Sequence, residues 1–317
     1  MLMLLFLLLP AREVVATSTS LYNGIASPGS QGFFYLAQPL GSASAIQLNN
    51  NLDTTPQSSD SAGFFARANL MPTLDRQAGY TVRFGVQLNA ENHANSDKNG
   101  DGIGDRAGFS LIVLSSDKQG IELGFWTDRV WAQNDGTSIP PTGSLFTHAE
   151  EAVIATTQPI SYDLHIQGNM YTLKNGATVI LTGPLRNYTA FSGPINPYST
   201  PNLLFLGDNT SSAAANVTFT GPITITNNSL PSMTPVNTIA LFQGAPEAVM
   251  PIATVSDAED VADSLQVQVV SQPAGITVIM PNNSNINGSI SASIVAVSYT
   301  HLRAHETDSY LVCRLLL

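Results

Sequence analysis

The sequence predicts an all-β chain, built as a large antiparallel β-sandwich with a smaller strand-rich unit behind it. Three observations carry this. Apolar residues recur at every second position through most of the chain, no segment shows a helical apolar stripe, and Gly and Pro fall between the alternating runs.

The clearest alternation is YTVRFGVQL, where Tyr80, Val82, Phe84, Val86 and Leu88 share one face and Thr81, Arg83 and Gln87 the other. GFSLIVL, residues 108–114, is apolar on both faces and reads as a central strand. In SYDLHIQG, Tyr162, Leu164 and Ile166 oppose Asp163, His165 and Gln167. KNGATVIL places Asn175-Gly176 where a tight hairpin needs it. In NVTFTGPITIT, Val217, Phe219, Ile223 and Ile225 oppose a row of threonines. The pattern ends near Asn228, in a polar, proline-bearing linker. Residues 229–250 read as that linker and the first strand of a second unit. In 251–296 the alternation resumes at Leu265, Val267 and Val269, at Ile276 and Val278, and at Ile290, Ala292 and Ile294. That stretch is shorter than the ~100 residues of an immunoglobulin-like sandwich, so the unit reads as incomplete.

The two ends read differently. Met1–Leu9 is an apolar run of signal-peptide length, too short to span a bilayer, and residues 1–16 are expected to be a secretory signal. At the other end, VSYTHLRAHET and LVCRLLL resemble the two constant blocks of a translated sequencing adapter, separated by the length of a sample index. Residues 297–317 are therefore expected to be an artefact that packs against nothing, with the natural chain continuing past Ala296.

The single cysteine, Cys313, lies in that tail, so no disulfide framework and no thiolate chemistry are available to the rest. The net charge of −11, with no basic stripe, argues against nucleic acid and anionic membranes as partners. No apolar run after the N-terminal one suggests membrane insertion.

Several stretches together carry a family resemblance: LDRQAGYTVRFGVQLNAENH, DRAGFSLIVLSSDKQGIELGFWTDRVWAQN, LFTHAEEA, YDLHIQGNMYTLKNGATVILTGPLRNYTAF and PNLLFLGDNTSSAAANVTF. They resemble the concanavalin A-like, laminin-G-like jelly-roll domains of bacterial surface proteins, including those called choice-of-anchor domains. PIATVSDAEDVADSLQVQVVSQPAGITV resembles the immunoglobulin-like repeats of such proteins. The resemblance implies a jelly roll over residues 17–228, with glycan binding in many members and structural calcium in some. It fixes no ligand.

Three functions stay open. One is a secreted, non-catalytic carbohydrate-binding or adhesion module with glycans or cell-surface polysaccharide as partner. The second is a calcium-stabilised spacer, and the third a glycoside hydrolase. Glucanases on this fold use Glu-x-Asp-x-x-Glu, two carboxylates flanking the scissile bond. That spacing is missing, Glu122 stands alone and Glu150 and Glu151 are adjacent, so the chain is expected not to be an enzyme.

The candidate glycan site is GIELGFWTDRVWAQ. If Thr127-Asp128 is the turn, Trp126 lies across from Arg129, Gly124 from Trp131 and Glu122 from Gln133. One outer face then carries both tryptophans with Glu122, Arg129 and Gln133 around them. Aromatic faces stack on sugars while amides and charges take the hydroxyls. The other reading packs the indoles beneath loops or on Arg129 as a cation–π pair. His148, Glu150 and Glu151 offer a metal or sugar contact, or a solvated loop.

The candidate metal site is DKNGDGIGD. Asp97, Asn99, Asp101 and Asp105 occupy positions 1, 3, 5 and 9 of a calcium-loop pattern, with Gly102 at the sharp turn and Glu91 or Asn95 as further ligands. Gly108 replaces the closing glutamate and a strand follows instead of a helix, so it is no EF-hand. Calcium is the one cofactor the residues suit. The alternative is a polar turn with solvated acids.

Overall fold

The structure is a computed structural model. It describes residues 17–38, 46–56, 61–93, 96–136, 144–193, 196–228, 232–235, 246, 248–256, 266–269, 276–279, 288–296 and 313–316. The chain divides into two compact units, Thr17–Asn228 and one that carries Ser229–Leu317. The expected signal segment lies outside the described residues, as does most of the expected adapter tail.

In chain order the strands of the first unit are β1 (Thr17–Tyr22), β2 (Phe33–Gln38), β3 (Ile46–Leu48), β4 (Asn51–Asp53), β5 (Ser61–Ala66), β6 (Tyr80–His93), β7 (Ser110–Leu114) and β8 (Gly120–Phe125). They continue as β9 (Arg129–Gln133), β10 (His148–Val153), β11 (Ile160–Gln167), β12 (Met170–Asn175), β13 (Thr178–Pro184), β14 (Leu203–Asp208), β15 (Ala213–Phe219) and β16 (Ile223–Asn227). Two antiparallel sheets result. One has nine strands, ordered β13-β12-β11-β6-β15-β4-β3, with β16 joining β1 to β6. The other has seven, ordered β10-β9-β8-β7-β14-β5-β2.

The sheets face each other across one apolar core, which makes the unit an antiparallel sandwich of the jelly-roll kind, as the alternation implies. The first sheet contributes Tyr80, Val82, Phe84, Val86 and Leu88 from β6 and Tyr162, Leu164 and Ile166 from β11, while Thr81, Arg83 and Gln87 stay on the outer face. The second contributes Leu111 and Val113, Ile121, Leu123 and Phe125, and Leu204 and Leu206. Phe84 meets Phe125 edge-on across the gap, with ring centroids 6.3 Å apart. Burying each such side chain contributes about 1.5–3 kcal/mol relative to leaving it in water. The hairpin of β12 and β13 closes between Asn175 and Thr178, so Gly176, at φ +57°, is the first of two loop residues.

β7 is buried on both faces, as its unbroken apolar run implies. Its inner residues enter the main core, whereas Ile112 and Leu114 face outward into a second apolar cluster with Phe205, Phe146, Tyr188 and Tyr198. The chain between β13 and β14 supplies this cover through two short 3-10 turns, Tyr188–Ala190 and Pro197–Ser199. Reciprocal backbone bonds between Arg186 and Gly120 anchor it to β8.

The second unit holds β17 (Ser232–Pro235), β18 (Ala248–Ser256), β19 (Gln266–Val269), β20 (Ile276–Ile279), β21 (Gly288–Ala296) and β22 (Cys313–Leu316). β17, β18, β21 and β20 form an antiparallel sheet in that order, and β19 pairs with β22. The tail segment β22 thus has a partner, where the sequence led us to expect none. An extended apolar run meets an open strand edge, whose free amides and carbonyls accept such a segment.

Candidate functional site

The β8–β9 hairpin has the register its sequence implies. Phe125 pairs with Val130, Gly124 with Trp131 and Leu123 with Ala132, and the Trp126 amide donates to the Arg129 carbonyl. Since Leu123, Phe125, Val130 and Ala132 enter the core, Glu122, Trp126, Trp131 and Gln133 project from the opposite face of the sheet.

Exposure is where the structure departs from a stacking platform. Trp131 is fully buried and Trp126 is 6% exposed. His148 from β10 stacks on Trp131 with centroids 4.0 Å apart, and His93 from the end of β6 stacks on Trp126 at 3.9 Å. The Trp126 Nε1–H donates to the Arg106 carbonyl at 2.7 Å. Arg129 lies over the same indole, 5.3 Å from its centroid, and pairs with Asp128 and Glu151. The two indoles and Arg129 therefore form a structural cluster, closed by residues from strands remote in sequence.

Glu122 and Gln133 instead line a cavity of about 490 Å³ on the outer face, beside the segment that covers β7. Glu122 is 2% exposed. Its Oε2 accepts a hydrogen bond from the Tyr198 hydroxyl, and its Oε1 accepts one from Asn209 Nδ2 at 2.8 Å. Burial raises its carboxyl above the ordinary glutamate value, against the opposing pull of those hydrogen bonds. Burial thus shifts its balance toward the neutral acid. Tyr188 fixes the backbone beneath it: its hydroxyl accepts from the Glu122 amide at 3.0 Å and donates to the Gln133 carbonyl at 2.8 Å. Phe65, Phe146, Phe191 and Phe205 give the cavity its apolar walls. Phe65 and Phe205 stand beside Ile112 and Glu122 in one row of cross-strand partners.

The adjacent glutamates Glu150 and Glu151 point apart, as neighbours on a strand must. Glu150 is held by Arg186 and the Tyr171 hydroxyl, and Glu151 by Arg129 and His148.

The Asp97–Asp105 loop is organised around its own backbone. The Asp97 carboxylate accepts from the amides of Gly100, Asp101 and Gly102, and these bonds, that from Gly102 foremost, hold its carboxyl below the usual aspartate value. Asn99 Nδ2 donates to Asp101 Oδ2. Asp105 does not join this turn. It is fully buried, and accepts from the Lys98 amide at 2.6 Å and the His148 amide at 3.3 Å. Among the described residues no three His, Cys, Asp or Glu side chains are grouped to hold a metal. The pattern positions are thus used first to satisfy amides of a tight turn. Glu91 is engaged by His93, and Asn95 lies outside the described residues.

Sequence reasoning missed Tyr188, Tyr198, Asn209, Lys98 and Arg106. Both tyrosines follow an Asn that starts a turn: Asn187 Oδ1 accepts from the Thr189 amide and Asn196 Oδ1 from the Tyr198 amide. Asn-Tyr and Asn-Pro-Tyr in one connection were the readable signal of an ordered cover.

No family model and no curated protein matches the chain. Among solved structures it is similar to a Crh5 transglycosylase in complex with NAG, at 14% identity over 68% of this chain and 87% of that one, TM-score 0.37. It is also similar to the alginate lyase AlgAT5 of Polysaccharide Lyase family 7, at 6% identity over 64% and 82%, TM-score 0.32. A third is the VIP36 exoplasmic/lumenal domain in its Ca²⁺/Man3GlcNAc-bound form, at 9% identity over 66% and 89%, TM-score 0.31. Enzymes stand among these structures beside a sugar-bound domain, so the expectation that the chain is not an enzyme is withdrawn. In space Glu122 is surrounded by Tyr198, Asn209 and Gln133, with Asp208 in the same cavity lining.

Proposed function

We propose that the chain is a carbohydrate-binding or carbohydrate-processing protein that takes a glycan into the cavity around Glu122. One observation carries the reading: a buried, neutral-leaning carboxyl between a tyrosine hydroxyl and an amide, at the wall of a cavity with aromatic sides. Sugars present apolar C–H faces and hydroxyls together, and a site of rings with a few placed polar groups suits both. A carboxyl kept protonated donates to a sugar oxygen, and in a processing site it serves as general acid. The same reading puts the chain outside the cell, where glycans are met, and draws support from the apolar run Met1–Leu9.

The test is a glycan-array screen of the full chain, followed by titration calorimetry and product chromatography on the glycans retained. Glu122→Gln and Tyr198→Phe are expected to weaken binding or turnover without unfolding the protein. Retention of no glycan, or binding indifferent to both substitutions, overturns the reading.

A further inference from the structure

Lys98 and Arg106 line the same cavity as Glu122. The chain has only 12 Lys and Arg against 23 Asp and Glu, so cations are scarce. Arg76, Arg83, Arg129 and Arg186 are each committed to a carboxylate. Among the described residues, neither Lys98 nor Arg106 has a carboxylate within ion-pair distance. Both lie over the ring of Phe146, Lys98 Nζ at 5.7 Å and the Arg106 guanidinium at 6.0 Å from its centroid. Among the described residues, the one hydrogen bond of Lys98 Nζ is to the Leu145 carbonyl, at 3.5 Å.

We infer that the glycan is acidic, and that Lys98 and Arg106 receive its carboxylate or sulfate group. This deepens the function proposed above and rests on it.

Two like charges held over one ring repel each other, and an anion between them relieves the repulsion. Partial burial, then the charge of Arg106, pulls the Lys98 ammonium below the ordinary lysine value, against an opposing pull from Asp105. Burial lessens the opposition of the cavity's carboxyls to an anion. Glu122 and Asp208 are both pushed by burial toward their neutral forms. Asp105 is fully buried and turned to the Lys98 and His148 amides. A neutral sugar would need hydroxyl partners, which Glu122, Gln133 and Asn209 supply without help from two cations. A guanidinium and an ammonium lining one cavity are donors that suit a planar carboxylate or a tetrahedral sulfate. In a protein of net charge −11 they also give an anionic chain a local point of approach.

The test titrates the full chain with three oligosaccharides of equal length: a uronate, a sulfated and a neutral one, at low and high salt. The uronate or the sulfated ligand is expected to bind about tenfold or more tighter than the neutral one, with the difference shrinking in salt. Lys98→Gln and Arg106→Gln should each erase much of that preference while leaving the melting temperature in place. The two acidic arms distinguish carboxylate from sulfate recognition. Equal affinity for neutral and acidic ligands, or an unchanged preference in both variants, overturns the inference and leaves the glycan reading standing. Binding of none of the three at the cavity overturns both.

Discussion

The indole of Trp131 lies over Gly124, its cross-strand partner, so closely that a Cβ on the glycine would stand 2.7 Å from two ring atoms. The glycine is the gap into which the ring fits, and His148 closes the stack from the other side. Gly124→Ala is therefore expected to destabilise the protein by about 1–3 kcal/mol, as overpacking does. Trp131→Ala should cost more, about 3–5 kcal/mol, since it empties a buried site. Chemical denaturation of both variants checks this. A Trp131→Ala protein as stable as the parent would show that the ring is not packed as described.

Tyr188 joins two strands through one hydroxyl, taking the Glu122 amide and giving to the Gln133 carbonyl. Tyr188→Phe keeps the ring in its cluster but strands a buried donor and a buried acceptor. The expected loss is about 1–3 kcal/mol of stability, together with weaker glycan binding because Glu122 is no longer held in place. Hydrogen exchange at the Glu122 amide reads the local effect directly. An amide as protected in the variant as in the parent would rule out the bridging role.

The hairpin register was legible in the sequence because it depends on alternation and one turn, both local. Glu122, Trp126, Trp131 and Gln133 could be put on one face from IELGFW and RVWAQ alone. Their burial could not. It comes from His93 on β6, His148 on β10 and the tyrosines of the β13–β14 connection. Those partners lie tens of residues away, and no periodicity announces them. The same holds for the cavity, whose cations come from the loop before β7 and whose amide, Asn209, follows β14. The Asp97–Asp105 spacing is ambiguous for a related reason: acids at spacing two satisfy turn amides as readily as they ligate cations.

Asp208 is 1% exposed, and burial pushes its carboxyl well above the ordinary aspartate range. Between the ordinary value and the raised one, the folded state holds the proton and the unfolded state does not. Stability must then fall as pH rises through that window, starting from about pH 4. Asp208→Asn keeps an oxygen to accept from the Thr210 amide and hydroxyl, as Oδ1 does now, and removes the titration. The variant should lose less stability than the parent between acidic and neutral pH. Melting temperatures over that range decide it, and parallel curves for the two proteins would reject the claim.

Asp97 presents the opposite sign. Three backbone amides favour its charged form and hold its carboxyl below the usual value, so the turn's contribution is present above the unfolded aspartate range and fades as pH falls through the lowered folded value. The turn needs no cation to satisfy these amides, and Asp105, the position-9 acid of the pattern, faces the Lys98 and His148 amides instead. We therefore expect Asp97→Ala to loosen residues 97–102, seen as faster amide exchange at Gly100 and Gly102, equally with calcium and with chelator. The parent's melting temperature should be unmoved by millimolar calcium. Only a ligand that binds the folded state and not the unfolded one would raise it. A calcium-dependent rise in the parent that disappears in Asp97→Ala would instead make the loop a cation site, with Asn99 and Asp101 as its first further ligands to test.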